Sequence, residues 1–288
     1  MATGATEFID NTTADNSIPE LWSKKLIVQR EAHLVFEKVI ETDYREAMSF
    51  GDVIHIGSVT DLTTRSKSAN TAITYETQTE TNKDITINVD EYAAIAVENI
   101  TDLQSMLDLV STYAPKMAYA LAKSRDTAIA VLVDNLSAST AVGTLAVALT
   151  FDDFVSAMQA LDDANVPDED RAFIVSNATH ADLLKMDQFM QADYATRNGS
   201  GMGKKGERAW IGSWMDVPIY KTNNTDGTNA AGHDNVLLHK GTFGMAAQMM
   251  PKTFTMFDID YLARKVASEQ IYGVAELRED HGVWMKGR

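Results

Sequence analysis

The longest helical pattern in the chain runs from Ile100 to Leu136. Apolar residues recur there at steps of three and four positions, except for one gap of seven that contains Ser124 and Arg125. This spacing gives a helix one apolar face and predicts a long core helix. Proline lacks a backbone donor, so a kink or a junction of two helices is expected at Pro115. The apolar face comprises Leu103, Leu107, Val110, Ala114, Met117, Leu121, Ala128 and Leu132.

The segment before this helix has a strand pattern. Gly51 precedes a predicted strand at residues 52–56, and a second strand is predicted from residue 85 towards Ala96 because apolar and polar residues alternate. Residues 59–83 between them are rich in threonine and contain few large apolar side chains. The pattern therefore predicts a long hairpin whose far end cannot bury itself, since a lone two-stranded ribbon is marginally stable in water.

Residues 1–16 are small and polar, which predicts an arm without a core of its own. Ser17 and Glu20 have the spacing of a capping box, with Pro19 in the first turn. A helix or broken helix is predicted to follow as far as Ile40. Its apolar residues are scattered around the axis, which fits either a segment that contacts several surfaces or a plain core helix.

The chain after the long helix alternates between helix and strand patterns, which predicts a compact α/β region. Thr150 is predicted to cap a helix, Thr179 lies near the start of another, and a turn is predicted at Asp216 between two strands. Buried or half-buried strands are predicted at 173–175, 210–215, 217–221 and 236–239, and a helix piece at 245–249.

The last segment again has an alternating pattern, with Gly273 as a bend. Its strands are predicted to return to the first β region beside the long helix, so that the α/β region is an insertion. The apolar positions of this segment are Val266, Ile271, Val274, Leu277, Val283 and Trp284.

Composition and charge exclude several classes of protein. Acidic residues outnumber basic residues 41 to 25, giving a net charge of −16, which disfavours a protein that grips nucleic acid. The absence of cysteine excludes disulfides and thiolate chemistry. The first residues lack the pattern of a signal peptide, and no apolar run is long enough to cross a membrane.

No catalytic, cofactor or metal site is predicted. The glycine-rich residues 199–204 resemble a phosphate-binding loop, but Asn198 and Lys205 stand where that motif needs a glycine and a hydroxyl residue. The six histidines show no metal-ligand spacing, adjacent carboxylates point apart on a helix, and no serine lies in a nucleophile elbow. The tryptophans Trp22 and Trp214 are candidate subunit contacts, with core packing as the equal alternative.

These features together resemble the major capsid proteins of tailed bacteriophages, with the Hong Kong 97-type fold. The resemblance extends from about Ile18 to the end and depends on the order and spacing of several short motifs. They are Ile18-Pro-Glu-Leu-Trp-Ser23, Phe50-Gly-Asp-Val-Ile-His-Ile56, Val97-Glu-Asn-Ile-Thr-Asp102, Ala120-Leu-Ala-Lys-Ser-Arg-Asp126, Trp210-Ile-Gly212 with Val217-Pro-Ile219, and Tyr272-Gly-Val274.

The resemblance implies an α+β fold with four parts. Residues 1–48 would be an N-terminal arm, 49–137 the first part of a peripheral domain, 138–250 an inserted axial domain, and 251–288 the return strands of the peripheral domain. Within 49–137, residues 57–84 would be the extended loop and 100–136 the spine helix. Candidate subunit-contact residues are Leu21, Trp22, Leu26, Thr71, Ile73, Tyr75 and Trp214.

The function implied by the resemblance is a non-enzymatic shell. Hexamers and pentamers would form an icosahedral virion capsid around double-stranded DNA in the host cytoplasm, with possible scaffolding, portal and decoration proteins and no membrane. Some relatives cross-link a lysine to an asparagine. Lys67 and Lys83 lie in the loop, but no asparagine or glutamate can be matched. The alternatives are an encapsulin-type bacterial compartment for cargo enzymes and, more remotely, an α/β enzyme.

Overall fold

The computed structural model describes residues 33–42, 44, 51–59, 62–77, 80–100, 109–186, 189, 209–228 and 230–288. Within these residues, helices combine with sheets of two, three and seven strands, which confirms the predicted α+β class. The predicted Ser17 cap, the first apolar positions of the long helix and the glycine-rich residues 199–204 lie outside the described residues.

The predicted hairpin is confirmed at its base. Strands β1 (Val53–Val59) and β2 (Glu80–Thr86) pair antiparallel along their whole length as a separate ribbon. The prediction of one continuous second strand is wrong, because it breaks at Ile87 and Asn88 and continues as β3 (Val89–Glu98) in another sheet. The alternation of the sequence is uninterrupted there, so tertiary packing and not local propensity sets the break.

The second sheet confirms that the tail returns to the first β region. It has the order β10 (Phe243–Asp258), β11 (Ala263–Glu276), β3, and both pairings are antiparallel. Residues 245–249 were predicted as a helix piece, and this is wrong because they lie in β10. Residues 243–247 are all buried, and a short continuous apolar run does not distinguish a strand from a helix.

Gly273 lies where β11 passes the point at which the chain leaves the ribbon. A Cβ atom at this position would lie 2.1 Å from the carbonyl oxygen of Thr86 and 3.0 Å from the Cα of Ile87. Both are backbone atoms that cannot move without disturbing the ribbon, so the close approach requires glycine. Gly273 is part of the strand and is not the predicted bend.

The third sheet forms the body of the α/β region. Its order is β4–β12–β9–β5–β7–β6, with β8 paired to β9. The predicted return of the last apolar residues to the first β region is therefore wrong for β12, which lies inside this sheet between β4 and β9. The strands are β4 (Val142–Gly143), β5 (Arg171–Ser176), β6 (Trp210–Trp214), β7 (Val217–Thr222), β8 (Gly227–Thr228), β9 (Gly232–His239) and β12 (Gly282–Gly287).

Apolar side chains cover both faces of this sheet. The short helix α1 (Phe36–Val39) and the long helix α2 (Leu109–Ala130) contribute to the core on one face, and α3 (Phe151–Asp163) covers the other. Every residue of β5 is buried, with alternate side chains in the two cores, which is why its sequence reads as a continuous apolar run. The short helix α4 (Asn177–Leu183) follows β5. As predicted, Thr150 caps α3, in a reciprocal pair of hydrogen bonds with Asp153.

The long helix continues through Pro115 without interruption, so the predicted junction of two helices is wrong. Pro115 is exposed, where the loss of one helix hydrogen bond costs least. A 3₁₀ turn, Val131–Asn135, extends α2, close to the predicted end of the helix.

Arg125 fills the apparent gap in the apolar face of α2. Met117, Leu121, Arg125 and Ile129 follow one another at steps of four, and all four are buried. The guanidinium group donates to Gln270 Oε1 at 2.7 Å and forms a salt bridge with the Glu37 carboxylate at 3.0 Å. The buried face is therefore continuous, with one position occupied by a paired charge.

The next residue of α2, Asp126, anchors the start of α1. Its carboxylate accepts a hydrogen bond from the Glu37 backbone N–H at 3.3 Å and another from the Asn224 side chain at 2.9 Å. Burial raises the pKa of Asp126, and these hydrogen bonds oppose that shift. Phe36 and Ile40 on either side of Glu37 are buried in the core. The segment that follows the N-terminal residues is thus fixed to the body by both apolar and polar contacts.

Candidate functional site

The first candidate surface is the distal part of the extended loop, represented by the described residues 62–77. All of these residues are exposed except Glu76, which is partly buried. The side chain of Ile73 is 57% exposed and that of Tyr75 is 84% exposed. Large apolar side chains with this exposure leave apolar surface that the described residues do not cover, so it is available to another molecule.

The predicted contact residues fall into three groups. Thr71, Ile73 and Tyr75 lie exposed in the extended loop, where they are free to meet a partner. Trp214 does not, because it is only 5% exposed. The other three predicted contacts, Leu21, Trp22 and Leu26, lie outside the described residues.

Trp214 belongs to the core, and its prediction as a subunit contact is wrong. Its ring lies edge to face with Phe151 at 5.6 Å between centroids and with Phe154 at 6.4 Å, and tilted against Phe173 at 6.1 Å. The residue ends β6 just before a turn in which Met215 and Asp216 have positive φ. The sequence shows a tryptophan next to a turn but not that α3 covers it.

The second candidate surface was not predicted. It is the hairpin end, defined here as residues 250–262, where β10 turns into β11. Most of its residues are exposed, although the segment is rich in large apolar side chains. The exposed ones are Met250, Phe254, Met256, Phe257, Ile259, Tyr261 and Leu262.

A cleft of about 290 Å³ lies between the hairpin end and the last residues of β3. Met256 and Phe257 give it apolar walls, and the exposed Arg264 adds a cationic group. Beside it, Lys265 forms an ion pair with Asp258 that holds the pKa of Asp258 below its usual value and raises the pKa of Lys265. The surface thus combines exposed apolar groups with positive charge in a chain that is strongly acidic.

The sequence carries a signal for the hairpin end, but only for its secondary structure. Phe254 and Met256 alternate with Thr253 and Thr255 as in a strand. Alternation does not show whether the apolar side is covered. Here β10 is the edge strand of its sheet, and the described residues leave most of the side chains on its outer half exposed.

The described residues contain no constellation that suggests catalysis. They include no group of three or more histidine or acidic side chains that could hold a metal ion. His239 and His281 lie edge to face with ring centroids 5.4 Å apart, and burial lowers the pKa of both. A search of the described helices finds none with the length and apolar character needed to span a membrane.

Comparison with known families identifies the family of this chain. The sequence profile of the family described as phage capsid protein matches residues 64–288, which include most of the extended loop, the long helix and the hairpin end. No curated protein matches the sequence. The chain belongs to the phage capsid protein family.

Solved structures agree with this assignment. A chain from Mycobacterium phage Che8 has 25% sequence identity and a TM-score of 0.76, with 93% of this chain and 96% of that chain covered. The capsid structure of the cyanophage P-SCSP1u gives 17% identity, a TM-score of 0.73 and 99% coverage of both chains. The capsid of Ralstonia phage GP4 gives 12% identity and a TM-score of 0.70, with 99% and 98% covered. The fold is therefore the Hong Kong 97-like fold of tailed-phage major capsid proteins, as the sequence motifs implied.

Proposed function

We propose that this structural subunit of a phage virion assembles as hexamers and pentamers into an icosahedral shell that encloses double-stranded DNA. The observation that carries the proposal is the extended loop: the described residues 62–77 expose Ile73 and Tyr75 on a ribbon that has no core of its own. A ribbon of this kind gains stability when another surface covers it. Membership of the phage capsid protein family supports a second copy of the same chain as that surface.

The hairpin end supplies a second surface of the same type. Its exposed apolar residues and the cleft at Arg264 lie at the opposite end of β3 from the extended loop and its ribbon. A subunit with two separated apolar surfaces can contact more than one neighbour, as a closed shell requires. Repetition of these contacts across the lattice makes each small gain in affinity count many times.

The charge of the chain bears on how DNA is held. A net charge of −16 repels phosphate groups, so the shell would enclose DNA without gripping its backbone. It also makes subunits repel one another, and moderate salt should therefore favour assembly by screening that repulsion. Scaffolding, portal and decoration proteins are proposed partners, assembly is proposed to occur in the host cytoplasm, and no enzymatic role is proposed.

The division into named domains is also a proposal. Residues 1–48 would form the arm and 57–84 the extended loop, while 138–250 would form the axial part around hexamer and pentamer centres. The position of β12 modifies the outline, because residues 282–287 complete the sheet of the α/β region and not that of the first β region. Two crossings of the chain between these regions, at β10 and again before β12, would couple them mechanically.

Electron microscopy and sedimentation of the purified full chain test the proposal. Closed shells with hexamers and pentamers are expected, and the double variant Ile73→Ser with Tyr75→Ser should need a higher protein concentration to assemble. Ser66→Asn is the matched control, since it exchanges one exposed polar side chain of the same loop for another and removes no apolar side chain.

Two results would contradict the proposal. The first is a chain that stays monomeric or dimeric at high concentration in moderate salt. The second is a shell isolated from infected cells that contains protein cargo in place of DNA, which would favour the encapsulin-type compartment.

A further inference from the structure

The two limbs of the extended loop are not held together by a backbone ladder. The described pairing between β1 and β2 reaches Val59 and Glu80, and residues 62–77 belong to no strand. Among the described residues 62–77, the only backbone hydrogen bond joins the Thr71 N–H to the Ser68 carbonyl at 3.4 Å, which closes a local turn. The limbs on either side of that turn need some other link to stay together.

Glu76 provides that link. Its carboxylate accepts hydrogen bonds from the Thr63 backbone N–H at 3.2 Å and from the Thr63 hydroxyl at 2.8 and 3.1 Å. It also lies 3.5 Å from the Arg65 guanidinium nitrogen Nη2. Glu76 is the one residue among 62–77 that is partly buried, as a side chain folded back across the loop would be.

We propose that Glu76 is a positioning residue for assembly. Together with Thr63 and Arg65 it forms the Glu76 bridge, which closes the distal part of the loop in the free subunit and presents Ile73 and Tyr75 in the conformation that a neighbouring subunit binds. This inference rests on the proposed function, because it assumes that the extended loop contacts another copy of the chain.

The physical reason is the entropy of the loop. Residues 64–75 lie between the bridged positions, and without the bridge their two limbs separate freely. Ordering them only on contact with a neighbour would subtract that entropy from the binding free energy. A charged acceptor with several donors is suited to this role, because bonds to a carboxylate are stronger than bonds between neutral groups.

Limited trypsin digestion of the unassembled full chain tests the bridge directly. Trypsin cleaves after lysine and arginine, and Lys67 is an exposed site inside the bridged segment that takes no part in the bridge. Glu76→Ala should accelerate cleavage after Lys67, read by mass spectrometry, by roughly two- to fivefold, the range for loss of exposed charged contacts. Glu76→Gln keeps an acceptor oxygen but loses the charge, so its effect should be smaller.

Glu80→Ala is the matched control. Glu80 is an exposed acidic residue of the same hairpin, and its side chain has no partner among the described residues. It should leave the cleavage rate after Lys67 unchanged. An equal rate in the Glu76→Ala variant and the parent chain would overturn the proposal.

Assembly gives the second readout. Glu76→Ala should raise the concentration needed for shell formation by a similar factor while leaving the urea unfolding midpoint of the subunit unchanged. If cleavage accelerates but assembly does not weaken, although Ile73→Ser with Tyr75→Ser does weaken it, the bridge has no positioning role. If the double variant assembles like the parent, the proposed function of the loop fails instead, whatever the digestion shows.

Discussion

Replacement of Arg125 by methionine should destabilise the subunit more than any exposed substitution on the same helix. The guanidinium group is buried on α2 and donates to the Glu37 carboxylate and to Gln270 Oε1. Methionine fits the space but removes both interactions. The Glu37 carboxylate and the buried amide oxygen of Gln270 then lose their interactions with the guanidinium group.

The size of the loss follows from what is left behind. Removing one partner of a fully buried ion pair costs about 3–5 kcal/mol. Glu37 retains 22% side-chain exposure, so water can partly replace Arg125 there. Gln270 is 1% exposed and has no such access to solvent. We therefore expect a loss of about 2–4 kcal/mol in the free energy of unfolding.

Urea denaturation of the unassembled subunit, followed by circular dichroism, measures this loss. Lys123→Met is the matched control, because it makes the same kind of substitution at an exposed position two residues earlier on α2. The control should change the free energy of unfolding by at most about 0.5 kcal/mol. Adding Glu37→Met to Arg125→Met should recover part of the loss, because the carboxylate that faced the Arg125 charge is then removed as well. A loss below about 1 kcal/mol for Arg125→Met, or no recovery in the double variant, would show that the pair is not what holds α1 to α2.

Two further predictions concern Gly273 and Asp126. Gly273→Ala should prevent native folding or sharply lower the midpoint of thermal unfolding, because its Cβ would lie 2.1 Å from the Thr86 carbonyl oxygen. Gly212→Ala is the control: its Cβ would meet no atom within 4 Å, so thermal melting should stay nearly unchanged. Burial raises the pKa of Asp126 in the folded state, so folding favours the protonated carboxyl. Its contribution to the free energy of unfolding is therefore fully present at low pH and is lost as the pH rises through the folded-state pKa. The free energy of unfolding of the parent chain relative to Asp126→Asn should therefore fall as pH is raised from about 4 to 7; a difference independent of pH would show that the carboxyl does not titrate there.

The elements with strong local signals could be predicted from the sequence. Thr150 and Asp153 carry a capping box that needs no tertiary context, and α3 begins where they place it. The turn at Met215 and Asp216 joins two strands as expected. The ribbon of β1 and β2 followed from alternation and from the lack of apolar residues beyond it. Each of these depends on neighbours within a few positions.

The errors arise where a distant segment decides the structure. In the sequence, Arg125 looks out of place on the apolar face of α2, because its partners are not visible locally. These partners, Glu37 and Gln270, lie 88 and 145 positions away. The break between β2 and β3 depends on β11, which pairs with β3 and passes close to Thr86, the last residue of β2, at Gly273. The placement of β12 between β4 and β9 has no local signal, because a six-residue apolar strand suits either sheet.

Exposed apolar residues are the hardest to interpret, and they are the ones that concern assembly. Phe254 and Phe173 both lie in strands, yet Phe254 is 46% exposed and Phe173 is fully buried. The difference is that β5 has a strand on each side and apolar side chains on both faces, whereas the outer half of β10 has β11 on one side only. A folding monomer gains less from Phe254, Met256 and Tyr75 than from buried residues, since much of their apolar area stays in water. Such residues lower the solubility of a subunit unless another copy covers them, and seven of them lie together at the hairpin end among the described residues 250–262. The sequence contains all of these residues, but only the fold shows that the described part of the chain leaves them exposed, and that is the property a shell subunit requires.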